Sequence, residues 1–203
     1  MFNQREFFIN KALKKNSTVL DVGCVHNENI MFTDKWHHNF LLSKTPNVVG
    51  IDNNKNAIRV LKKRGYNVAY KDAQNFDLKK TFDFIIAGEI IEHLIDFNGF
   101  FKSLKKHMHK NTKIIITTPN VWNGFNFFSI IFRGKTRIHP EHTCWFCEKT
   151  FEQLIKKFDL KIDKCIYLHT PKNVRFYFFS RILIMLGLKK IGGSALYFEL
   201  SLN

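Results

Sequence analysis

Short apolar runs that end in polar or glycine-bearing turns recur along this chain, and they alternate with segments whose apolar residues fall at helical spacing. Runs at 18–22, 48–52, 67–70, 82–87, 113–118, 160–168 and 195–202 read as strands. The fifth is closed by Pro119, which cannot continue a ladder, and the last is entered through Gly192 and Gly193. Between them, helices are expected at 2–15, with Phe7, Phe8, Ala12 and Leu13 near one face, and at 31–43, 55–64, 97–106 and 148–158, with a helical turn starting at Glu89. In the helix at 55–64, Ala57, Ile58 and Leu61 share a face and Gly65 suits the residue after its end. This alternation predicts an α/β fold: a doubly wound, mostly parallel seven-stranded sheet with helices on both faces and an antiparallel last strand.

With 203 residues, 45% of them hydrophobic, the chain has the length and core material of one domain, and 1–203 is taken as a single unit. The net charge of +15 has two readings, compositional drift of an AT-rich genome or a selected basic surface that favours an anionic partner. Four cysteines without a recognisable leader suggest a reducing cytoplasmic setting. Two segments, near 121–138 and 171–191, are rich in aromatic and aliphatic residues yet fall short of the roughly 20 apolar residues of a membrane span.

The strand ends carry the chemistry. Gly23 after the first strand would let backbone approach a ligand, and Asp52 at the end of the second could accept both hydroxyls of a ribose. Here the chain resembles the class I S-adenosylmethionine-dependent methyltransferases, whose first motif is an acid, any residue, then glycine, as in Asp21-Val22-Gly23. The resemblance implies S-adenosylmethionine as cofactor. It also implies a binding set of Asp21, Gly23, Cys24, Val25, Asp52, Asn53, Asp72, Ala73 and Gly88, with Asp52 on the ribose, Asp72 and Ala73 flanking the adenine, and Asp21 orienting the loop or the methionine amino group through water. The family commonly continues with further glycines, whereas this chain has Val25-His26-Asn27, so a loop of different shape must support the cofactor. A branch of small methyltransferases with the same VLDVGCV opening also carries a Trp-x-His, matched by Trp36, His37 and His38, and a later TPN.

Glu89, Glu92 and His93 fall at spacings that place them on one face of a helical turn, a set suited to a divalent ion or to proton transfer. An E-x-x-E-H pattern occurs in ubiquinone-pathway O-methyltransferases and in small-RNA 3′-terminal ribose methyltransferases, where it implies a metal that gathers the acceptor hydroxyls. The tract from His139 to Leu154 resembles His-Pro-x-His segments of glycan and quinone methyltransferases, with Cys147 where those have a helix-capping Ser. His142 is then expected at the cleft. The candidate catalytic residues are His93, His142 and Glu92, and the candidate ligands for a divalent cation, Mg or Zn, are Glu89, Glu92, His93 and His142. A zinc site from His139, His142, Cys144 and Cys147 is disfavoured because four ligands within nine residues crowd the ion.

Methyl transfer is mainly a matter of positioning, and an imidazole or metal adds most where the acceptor atom is a hydroxyl oxygen. The expected reaction is therefore O-methylation of a sugar, glycan or lipid-linked small molecule. The apolar segments would form an acceptor lid whose Arg133, Lys135, Arg137, Arg175, Arg181, Lys189 and Lys190 meet an anionic membrane peripherally. RNA ribose 2′-O-methylation is an alternative, less favoured because no RNA-binding appendage or arginine-rich patch is present. A noncatalytic binding module is the other. The oligomeric state is left open.

Overall fold

The computed structural model describes residues 4–25, 30–135, 138–169 and 174–203, without side chains for 174–179. His26, Asn27, Arg137 and the side chain of Arg175 therefore lie outside the described residues. Seven strands form one sheet: β1 (Val19–Val22), β2 (Val48–Asp52), β3 (Val68–Tyr70), β4 (Phe82–Gly88), β5 (Met108–Pro119), β6 (Leu160–Leu168) and β7 (Ala195–Leu202). Their order is β3-β2-β1-β4-β5-β7-β6. The first five run parallel, and β7 lies antiparallel between β5 and β6. The expected architecture is the observed one. The connection from β1 to β2 and the later entry of β4 on the other flank of β1 make a switch point there, where doubly wound sheets open a crevice beyond their carboxyl ends.

Burial on both faces explains why the inner strands are nearly all apolar. Leu20, Val22, Ile85, Ile114 and Ile116 pack with Phe100, Phe101 and Leu104 of α4 (Phe97–Lys106) and with Phe151 and Ile155 of α6 (Glu148–Lys156). Phe151 stacks on Phe198 of β7 with ring centres 4.0 Å apart. On the opposite face Val19, Ile86 and Ile115 meet Ile9 of α1 (Gln4–Ala12) and Phe40 and Leu41 of α2 (His37–Leu42). In α1 it is Ile9 that is buried, whereas Phe7 is exposed. A third cluster joins Cys24 and Trp36 to Ile58 and Leu61 of α3 (Lys55–Lys63), which Asn54 caps through the Ala57 amide.

Three boundaries depart from the sequence pattern. The helix expected at 31–43 is only α2, because Thr33 bonds back to the Ile30 carbonyl, Phe32 has a φ of 70°, and Trp36 is extended so that its indole N–H reaches the Cys24 carbonyl at 2.8 Å. The turn after β4 is a 3₁₀ helix, Ile91–His93. The fifth strand begins earlier, at Met108, where Thr112 donates to the Phe82 carbonyl and accepts from the His109 amide. The apolar segments hold three helices, α5 (Gly124–Arg133), α7 (Val174–Met185) and α8 (Lys189–Gly192).

Candidate active site

At the end of β1, Gly23 has a φ of +79°, in the left-handed region that favours glycine, and a side chain there would run into Ile90. The Gly23 and Cys24 amides both donate to the Ile51 carbonyl, at 2.8 and 3.1 Å, which folds the loop across β2. That crossing needs Gly50, where an added Cβ would stand 2.7 Å from the Cys24 sulfur. Asp52 then sits directly beside the loop: its Oδ2 accepts from the Val25 amide at 3.0 Å and its Oδ1 from the Asn54 amide at 2.8 Å. Burial raises the Asp52 carboxyl above its usual range, an effect these amides oppose. A carboxylate has about four acceptor positions, so two amides leave room for a diol. Asn53 and Asp72 are exposed, Asp72 accepting from the Gln74 amide at 2.8 Å, and Ala73 is half-buried against the main core. Gly88 ends β4, and the Arg5 guanidinium lies against it, 2.8 Å from where a Cβ would be.

Asp21 is buried, and its Oδ2 lies 2.8 Å from Nδ1 of His38, which ties α2 to β1. His37, its neighbour, is pressed down to about 3, first by burial and then by the Arg5 charge, and its ring is neutral. Several buried polar atoms near this edge have no hydrogen-bond partner among the described residues: both ring nitrogens of His37, Nε2 of His38, Oγ1 of Thr117, Oε1 of Glu92 and Nδ1 of His142. Buried polar atoms are normally paired, so orphans gathered at the carboxyl ends of parallel strands fit a polar ligand such as the amino-acid end of S-adenosylmethionine.

Glu89, Glu92 and His93 do not share a face. Glu89 is exposed at a φ of 55°, and its amide is tied to the Thr117 carbonyl. Glu92 is fully buried, its Oε2 accepting from Thr118 at 3.0 Å. Burial, with the charge of Glu89 second, pushes its carboxyl up to about 8. Its protonated form is thus favoured around neutrality, and the carboxyl is held against β5. The tract after His139 is strapped to this turn: the Thr143 amide donates to the Glu92 carbonyl at 2.8 Å and its hydroxyl to the Leu94 carbonyl at 2.7 Å. His142 is thereby brought edge-on to His93, ring centres 4.7 Å apart. Burial first, then the neighbouring His93 and His139, lowers the His142 pKa.

Among the described residues, the potential ligand atoms that converge are those of His93, His139 and His142, all within 4.8 Å of one another. The expected ligand set keeps His93 and His142 but not Glu89 or Glu92, one exposed and the other turned onto Thr118; His139 stands in their place. Cys144 and Cys147 are not part of this group. The Cys144 thiol faces the Ile91 carbonyl, and Cys147 begins α6, where the Thr150 hydroxyl accepts from its amide. Asn120 of the TPN motif is a clamp: its amide nitrogen donates to the carbonyls of Lys190 and Gly193, at 2.7 and 2.8 Å. Gly50, Arg5 and Thr118 carry no signal in the sequence, since only the closeness of elements distant along the chain reveals them.

Residues 3–164 match the family described as a methyltransferase domain. A ubiquinone biosynthesis O-methyltransferase from Pelagibacter ubique is 35% identical over 128 residues, 58% of this chain and 48% of that protein. An (S)-tetrahydroprotoberberine N-methyltransferase from Eschscholzia californica is 25% identical over 119 residues, 55% of this chain and 32% of that protein. The chain thus spans less than half the length of either curated relative. Among solved structures, an S-adenosylmethionine-dependent methyltransferase from Clostridium acetobutylicum superposes with a TM-score of 0.63 at 14% identity, covering 100% of this chain and 93% of that one. The sheet order, the glycine turn beside a strand-end aspartate and the extent of the family match agree: the chain belongs to the methyltransferase domain family.

Proposed function

We propose that this protein is an S-adenosylmethionine-dependent methyltransferase that methylates a hydroxyl on a small-molecule acceptor, a sugar, glycan or lipid-linked compound. The observation that carries the reading is the pairing of His142 with His93 beside the strand-end edge that holds the orphaned polar atoms. When bound, S-adenosylmethionine supplies a methyl carbon activated by its sulfonium. Asp52 accepts hydrogen bonds from the ribose hydroxyls, with Gly23, Cys24, Val25 and Asn53 beside it, Asp72 and Ala73 at the adenine end, and Gly88 and Arg5 at the amino-acid end. An alcohol oxygen becomes a competent nucleophile as its proton leaves, and the imidazole of His142, with Nδ1 uncommitted, takes that proton. Glu92, uncharged, donates a hydrogen bond to the acceptor and adds no charge that would repel an emerging alkoxide.

The three converging imidazoles favour a second form of the same reading. His93, His139 and His142 would hold a borderline divalent ion such as Zn²⁺, and such an ion would supply Lewis acidity towards an acceptor hydroxyl.

Calorimetry with S-adenosylhomocysteine tests the cofactor half: micromolar binding is expected, weakened tenfold or more by Asp52→Ala, roughly the value of hydrogen bonds to a charged group. Absence of binding to the unaltered chain would leave a noncatalytic module. For the acceptor half, methylation of nucleotide sugars and lipid-linked sugars is compared with short RNA. His142→Ala is expected to lower kcat by about 10²–10⁴ while leaving S-adenosylhomocysteine binding intact. Chelation that abolishes activity of the unaltered chain selects the metal-assisted form.

A further inference from the structure

Helix α5 is built inside out. The residues it buries are Gly124 and Ser129, while Phe127, Ile131 and Phe132 stand 59%, 57% and 77% exposed. A helix folded only onto its own core would show the reverse arrangement. The end of α7 and the turn after it add Met185 and Leu186, 83% and 68% exposed. These pieces form one unit. The missing side chain of Gly124 admits Ile191, whose Cγ2 would lie 2.8 Å from a Cβ there, and Asn120 and Asn123 both donate to the Gly193 carbonyl. Arg133, Lys135, Lys189 and Lys190 lie in the same segments, and neither 121–135 nor 181–193 contains an aspartate or glutamate. Lys190 reaches Glu148 of α6 at 3.5 Å.

We propose that this surface, α5 with the end of α7 and α8, is a docking face for an anionic lipid bilayer. An amphipathic helix lying in the headgroup layer buries its apolar side and gives its cations to lipid phosphates, and both elements are present here. A second copy of the chain fits less well, because apposing two such faces sets cations against cations on a chain of net charge +15. The unit follows directly from Thr117 and Thr118 at the end of β5, so docking would bring the catalytic edge to the membrane surface. That last step, delivery of a lipid-linked acceptor, rests on the methyl-transfer reading, whereas docking stands apart from it.

Co-sedimentation of the full chain with phosphatidylcholine vesicles, with and without phosphatidylglycerol, is the test. Binding is expected only to the anionic vesicles and falls as salt is raised. Phe127→Ser with Phe132→Ser, and separately Lys189→Glu with Lys190→Glu, are each expected to reduce the bound fraction by about tenfold or more. Calorimetry with S-adenosylhomocysteine on the same variants reports whether the fold and cofactor site persist. Loss of vesicle binding with unchanged S-adenosylhomocysteine affinity supports the docking face, and a chain that docks without binding S-adenosylhomocysteine overturns the catalytic reading alone. Absent binding, equal binding to neutral vesicles, or unaltered binding by both variants overturns the proposal. So does a dimer in solution that the Phe127→Ser, Phe132→Ser variant dissolves.

Discussion

Glu92 links burial to a measurable pH effect. Its carboxyl titrates near 8 in the folded chain against about 4.3 when unfolded, so the folded state holds the extra proton between those values. Stability attached to this group is therefore complete only below about pH 4 and is lost progressively as pH rises to about 8. Glu92→Gln keeps the bond with Thr118 and has no proton to lose. It is expected to flatten the decline in unfolding free energy between about pH 5 and 8 and to raise the melting temperature at pH 8.5 by several degrees. Chemical denaturation across that range checks it, and an unchanged slope would remove the buried-acid account. His142 predicts a different limb. Because its pKa lies below the usual histidine value, kcat/KM should be flat through neutrality and fall only in acid. At this scale the sequence points to the loop geometry where one position suffices, as with Gly23, whose φ is +79°. It does not reveal partners that only the fold brings together: Asp21 meets His38 once α2 packs on β1, and Glu92 meets Thr118 once β4 and β5 are aligned.

α4, β6 and β7 were legible nearly to the residue: in α4 the buried Phe100, Phe101 and Leu104 fall at helical spacing, while β6 and β7 are apolar-rich runs bounded by polar or glycine-bearing turns. α2 was not, since local hydroxyl and indole bonds to backbone carbonyls outcompete the first turns of the helix. The helical turn expected from Glu89 is a 3₁₀ helix that starts at Ile91, because three residues carry too little pattern to fix its type or start. Asn120 makes a prediction here. It joins the end of β5 to the turn between α8 and β7 through two donated bonds, so Asn120→Ala should cost about 1–3 kcal/mol and loosen α5 and α8 together. Hydrogen exchange would show that loosening as faster exchange confined to 121–135 and 186–194; uniform change across the sheet would contradict it.

Across the whole molecule, the fold class followed from alternation of strand and helix alone, while the acceptor depends on shape at one edge that no periodicity encodes. Charge also acts at this scale: with +15 spread over 203 residues, association with any anionic surface should weaken as ionic strength rises, whichever acceptor is used. One feature of the sheet bears on biosynthesis. β7 follows the six other strands in the chain yet lies between β5 and β6, and all but two of its residues are buried. A nascent polypeptide leaving the ribosome must therefore keep a vacant slot, with β5 presenting an unpaired edge, until residues 195–202 have emerged. Deleting them should yield insoluble protein rather than a weakened enzyme, and stalled intermediates ending before 195 should depend on chaperones that shield open strand edges.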